Sequence, residues 1–271
     1  MNRLPTAVLA LAGALAVAVV ALPSCRSDEG GLVRINPKTF DAADEAAIGR
    51  RLGAELWRDA DLVLLEPEAG SFTDGAYRYL APLLSGLTEQ GHVTRRDSFA
   101  WAVTLVLDED PRAYTLPGGQ IYVHTGLLYA LDNEAELVGV LAREIALAEQ
   151  GAAMAALDRQ VEDNVTLGDL ILGNVVPLDH VVQALPAMSY TAEELGRADS
   201  LAARLVCQSD YEERALATAT ARLAAGTSYG EARPLPLGWR ADFESRVGAC
   251  PGADSLYVRR YRATLRTYVP N

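Results

Sequence analysis

The sequence predicts an α+β fold that is mainly helical, with one small β-sheet. Three observations carry this expectation. Apolar residues recur at three- and four-residue spacing through segments 41–59, 74–87 and 133–150, the period of an amphipathic helix. Short runs rich in β-branched and aromatic residues are confined to residues 99–124, broken by turn residues. The 271 residues are 50% hydrophobic and 22% charged, a composition that packs a core rather than leaving the chain unfolded.

The chain opens with a targeting pattern. Met1-Asn2-Arg3 is a short basic stretch, an Ala/Val/Leu run follows to Leu22, and Leu22-Pro23-Ser24-Cys25 closes it. Residues 1–24 are therefore expected to be a signal peptide, 25–40 a linker and 41–271 a single domain. The Leu-x-Ser-Cys ending resembles a bacterial lipobox, which would make Cys25 the lipidated N-terminus. An ordinary signal peptide and an uncleaved anchor are the alternatives, and Pro23 is unusual in a lipobox. A lipobox would place the protein in the bacterial cell envelope, lipid-anchored and facing the periplasm. Cys207 and Cys250 would then remain as a pair in an oxidising compartment. A bridge between them would close a loop worth roughly 4 kcal/mol in the chain-entropy model. Two buried thiols are the other reading.

The elements follow in order. A helix is expected from Asp41 to Asp59, with Ala47, Ile48, Leu52, Leu56 and Trp57 on its apolar face. A second runs from Asp74 to Leu87 on Tyr77, Leu80, Leu83 and Leu84. Phe99 to Leu107 reads as a strand, Asp108-Glu109-Asp110-Pro111 as a turn, and Ala113–Leu116 and Gln120–His124 as short strands around Pro117-Gly118-Gly119. Asn133 with Glu136 forms a capping-box pattern for the helix at 133–150. Residues 152–188 are mixed and mostly helical. Thr191 with Glu194 opens a further helix to Cys207, and another runs from Asp210 to Ala225. Residues 226–238 are a Gly/Pro-rich loop, and two or three helical turns close the chain between Arg240 and Thr267.

Formal net charge is −12, and the one basic group, Arg259, Arg260, Arg262 and Arg266, is small. Nucleic-acid binding needs a positive patch, so that class is excluded. No Gly-rich phosphate loop and no G-x-S-x-G occurs. The three histidines, His92, His124 and His180, are not at helical ligand spacing from one another.

Two stretches carry a family resemblance. The first is Thr115-Leu116-Pro117-Gly118-Gly119-Gln120-Ile121-Tyr122-Val123-His124-Thr125-Gly126-Leu127-Leu128, followed by Asn133-Glu134-Ala135-Glu136-Leu137-Val138-Gly139-Val140-Leu141-Ala142-Arg143-Glu144-Ile145-Ala146-Leu147. The second is Tyr190-Thr191-Ala192-Glu193-Glu194-Leu195-Gly196-Arg197-Ala198-Asp199. Together they resemble the HtpX/BepA family of zinc metallopeptidases, in which a PGG strand and a GLL turn lead into an H-E-x-x-H helix and a later helix reads E-x-x-A-D. The resemblance implies a zincin-like metallopeptidase fold, with zinc held by the two helix histidines and a third ligand, and the helix glutamate acting as general base.

Carried over by position, the ligand places hold Arg143, Leu147 and Leu195, while the base position keeps Glu144 and the supporting carboxylate is Asp199. Leucine has no lone pair and arginine stays protonated, so zinc is expected to be absent although the family implies it. Arg143 is expected either to pair internally with Glu144 or Asp199, or to point to solvent. Leu147 and Leu195 should close the former cavity by packing. The resemblance also implies a peptide-binding edge strand at Gln120, Ile121, Tyr122, Val123 and His124, since strand pairing needs no metal. His124, on that strand, is the best metal candidate among the histidines, against the commoner role of a packed strand residue. The function expected is a catalytically inactive, membrane-anchored pseudopeptidase that binds a peptide or envelope protein. The alternative is an active peptidase using Glu144 with non-standard ligands.

Overall fold

The computed structural model describes residues 40–160, 181–182, 185, 188–212, 214–223, 239–247 and 256–265. The signal segment, Cys25, the linker up to residue 39, His180, most of 161–187, the loop 226–238 and Cys250 lie outside the described residues.

Helix α1 (Ala42–Leu56) starts at Asp41, whose carboxylate accepts from the Ala43 and Asp44 amides while Asp44 reaches back to the Asp41 amide. This is a capping box that uses Asp where Glu or Gln is usual. The helix stops earlier than its periodicity implied, and Trp57 is its C-cap, 47% exposed rather than on the buried face. Strand β1 (Leu64–Leu65) follows, then α2 (Phe72–Thr88), capped by Ser71. Pro82 sits inside α2, and it is tolerated because both it and Arg78, whose carbonyl it deprives of a partner, are exposed.

The remaining strands are β2 (Ala102–Val106), β3 (Ala113–Thr115) and β4 (Gln120–His124), in the sheet order β1-β2-β4-β3. β2 and β4 are parallel, and the two outer pairings are antiparallel. The order corrects one expectation: Gln120–His124 is not an edge strand. Thr104 pairs with Tyr122 on one side and Tyr114 with Tyr122 on the other, so the main-chain groups of β4 are shared with two neighbours. The physical reason is the Pro117-Gly118-Gly119 turn. It folds β4 back against β3, and its Gly118 and Gly119 carbonyls accept from the Ala100 and Ala102 amides, which starts β4 along β2 and leaves β3 at the rim. Gly118 and Gly119 both take positive φ, and a Cβ on Gly118 would lie 2.7 Å from the Ala46 Cα of α1.

The segment after β4 is a short helix, α3 (Thr125–Ala130), rather than a turn. Helix α4 (Glu134–Glu149) follows, and every one of its residues is buried. Asn133 caps it, accepting from the Glu136 amide at 2.9 Å, but the box is not closed as the sequence suggested. The Glu136 carboxylate accepts instead from the Asp132 amide and is held by Arg222. Around α4 pack β3, α2, α5 (Ala152–Gln160), α6 (Ala192–Cys207), α7 (Ala215–Leu223) and α9 (Val258–Leu265). Gly139 of α4 allows α7 to come close, since a Cβ there would lie 2.8 Å from Leu216 Cβ. The capping box at Thr191 and Glu194 is complete, as the sequence pattern requires. Helix α7 begins at Ala215, later than expected, after a turn through Ser209 and Asp210. Helix α8 (Trp239–Val247) packs on α6 and α7.

Candidate functional site

A helix buried along its whole length that still carries five charged residues must supply each with a partner, because an uncompensated buried charge is strongly unfavourable. On α4 these are Glu134, Glu136, Arg143, Glu144 and Glu149. Glu149 accepts from the Thr94 and Arg95 amides and from the Thr94 hydroxyl, so it ties the loop after α2 to the end of α4. Glu136 is met by Arg222 of α7, and Glu134 by Arg260, Tyr211 and Tyr79. Burial alone would raise the Glu134 carboxyl. The hydrogen bonds donated by Arg260, Tyr211 and Tyr79 outweigh it and hold the group below the ordinary carboxylate range.

The centre of α4 holds Arg143 and Glu144, each 0% exposed. Arg143 reaches across to α6, where its Nε lies 2.7 Å from Asp199 Oδ1 and its Nη2 donates to Oδ2 at 3.4 Å. Helix spacing explains the meeting. α4 packs most extensively on α6, and Ala198, Asp199 and Ala202 are all enclosed on the facing side of α6. Leu147 and Leu195 are 0% and 1% exposed and belong to the same continuous hydrophobic core.

One participant was missed by the sequence reading. Trp239, the first residue of α8, donates its indole N–H to Asp199 Oδ2 at 2.5 Å. The Arg143 guanidinium carbon lies 6.0 Å from the centre of its ring, within cation–π range. Phe243 stacks behind Trp239 at 5.2 Å. The site is thus a closed assembly of cation, carboxylate and indole, backed by the Phe243 ring. The only sequence signal for Trp239 was a bulky aromatic residue at the close of the Gly/Pro-rich loop.

His124 belongs to a different cluster. It is 1% exposed, and its Nδ1 lies 3.3 Å from Asp108 Oδ2, with the Tyr114 ring edge-on at 5.9 Å. Burial pushes its imidazole down to about 4, against a smaller upward pull from Asp108. It is therefore neutral at pH 7, a packed strand residue at the start of α3. Among the described residues, no group of three His, Cys, Asp or Glu side chains is placed to hold a metal ion. Cys207 is the last residue of α6, and its expected partner Cys250 lies outside the described residues.

The family model described as Peptidase family M48 matches residues 78–244, a stretch that begins inside α2 and ends inside α8. It takes in β2, β3, β4, α4 and α6, and so the whole Arg143–Asp199–Trp239 assembly. No curated protein matches the chain.

Proposed function

Because the chain belongs to peptidase family M48, we propose that it is a pseudopeptidase of the HtpX/BepA type, one that has lost its metal and acts by binding a peptide or protein partner. The observation that carries this reading is the buried Arg143–Asp199 pair. The resemblance puts the metal ligands at Arg143, Leu147 and Leu195. A guanidinium that stays protonated and two side chains without lone pairs make no donor set for zinc. Zinc therefore does not fit these residues. Asp199 is engaged by a cation and an indole N–H instead, and Glu144 has no solvent contact, which a base that activates water requires.

A frame without a metal site keeps its shape and its surface, and these are what a binding role uses. Envelope quality control or assembly is the setting this reading gives it. Lipid attachment at Cys25 would hold the domain at the membrane, and a Cys207–Cys250 bridge would suit the oxidising compartment. Purified mature protein supplied with zinc is expected to leave unfolded casein intact, with Glu144→Gln indistinguishable from the wild type. It is also expected to co-purify with an envelope protein from native membranes. Casein cleavage that Glu144→Gln abolishes would overturn the proposal in favour of an active peptidase using Glu144 with other ligands.

A further inference from the structure

A cavity of about 330 Å³ opens at the other end of α4, between α2, the turn joining α6 to α7 and the start of α9. Arg260 on its wall reaches Glu134 of α4, nine residues before Arg143 and so roughly 13 Å from it along the helix axis. The volume suits a single side chain or a small ligand. One wall is apolar, made by Pro82, Leu83 and Leu87 of α2. The other is aromatic: Tyr211 and Tyr257 meet edge to face at 5.4 Å.

The charges around the cavity have a sign. Arg260 lines it, but its Nε and Nη2 both donate to the buried Glu134 carboxylate, so its charge is neutralised. Asp210 also lines the cavity, is exposed, and forms no ion pair among the described residues. The balance left on the walls is negative, within a chain of net charge −12 that attracts cations at a distance. An anion would meet Asp210, and Arg260, the cation among the described lining residues, is already paired with Glu134. One face of the Tyr257 ring is covered by the Arg260 guanidinium, 4.2 Å from its centre, and the Tyr211 ring set edge-on to it leaves further aromatic surface on the cavity wall. Tyr257 is itself held at φ +50, an unfavourable conformation for a bulky residue. The preceding Leu256 carbonyl accepts from the Glu134 and Ala135 amides, which fixes that conformation and the ring's position.

We propose that this cavity takes the side chain of a lysine or arginine from a partner protein. Its methylenes lie on Pro82, Leu83 and Leu87, and its cationic head sits at Asp210 beside Tyr211 and Tyr257. Long basic side chains bury their stems on apolar surface in this way while the head keeps a polar environment.

The test uses the whole mature protein, ¹⁵N-labelled, titrated with N-acetyl-lysinamide, N-acetyl-argininamide and the uncharged N-acetyl-norleucinamide. The two basic probes should give saturable shifts at the amides of Gly86, Tyr211 and Arg260, and norleucinamide should bind several-fold more weakly. Asp210→Asn, a change at an exposed position, should weaken the basic probes about threefold to fivefold, the size of an exposed ion pair. Gly86→Leu should abolish the shifts, since a Cβ there meets nothing within 4 Å and the new side chain can fill the space. Equal binding of norleucinamide, an Asp210→Asn variant with unchanged affinity, shifts that map elsewhere or no saturable shift would each overturn the proposal.

Discussion

Replacing Asp199 by asparagine probes the centre of the molecule most sharply. Asn keeps the volume and an oxygen acceptor for the Trp239 indole, and it removes only the charge that faces Arg143. Both partners are enclosed, at 0% and 2% exposure, and lie 2.7 Å apart, so water does not screen the change. Removing one member of such a pair costs about 3–5 kcal/mol, because the other charge stays buried. The total stability of a domain is only about 5–15 kcal/mol, so the variant should unfold at a much lower urea concentration. Urea unfolding followed by circular dichroism and by tryptophan fluorescence reads the difference directly. The double variant Arg143→Met with Asp199→Asn should recover most of the loss, since it removes the stranded charge and keeps an acceptor for the Trp239 indole. A cost for Asp199→Asn below about 1 kcal/mol would refute the reasoning. It would mean that other groups satisfy the guanidinium and that the carboxylate is incidental.

Four further outcomes are expected. His124 has a folded-state value near 4 against an ordinary one near 6.5, so the unfolded chain binds the extra proton between those limits. Stability should be full above about pH 6.5 and fall by about 3 kcal/mol as the pH drops through 4, and His124→Phe should flatten that part of the pH–stability curve. Leu195→Ala truncates a fully enclosed residue of the core and should cost about 2–5 kcal/mol by urea unfolding. Fatty-acid labelling in cells should mark the wild type and not Cys25→Ser, and non-reducing peptide mapping of the mature protein should recover Cys207 linked to Cys250. Equal labelling of both proteins, or peptides that separate without reductant, would contradict those two readings.

Much of this architecture was legible from local pattern. α4 was placed by the Asn133 cap and its apolar run, and α6 by Thr191 and Glu194, because capping chemistry acts within one turn and leaves a trace in sequence. Position alone could name two carboxylates, Glu144 and Asp199, as partners for Arg143. That Asp199 lies within reach follows from the packing of α4 on α6, which brings residues 56 positions apart into contact. Trp239 was harder still, since nothing local marks an indole that hydrogen-bonds a carboxylate 40 residues earlier. Strand order failed for the same reason. The run from Gln120 to His124 signals a strand, but whether it is central or at an edge depends on where β2 and β3 lie. Trp57 looked like a core residue by period, yet α1 ends before it and leaves it exposed.

The central claim, that this peptidase-family frame works without its metal, is tested most directly by the zinc content and thermal stability of the purified mature protein. The expected result is less than about a tenth of a zinc ion per chain after dialysis, on the order of background when the ligand positions hold Arg143, Leu147 and Leu195. The melting temperature should also be unchanged by chelator or by added zinc. One zinc bound per chain, with a melting temperature that rises on addition and falls on chelation, would contradict the account.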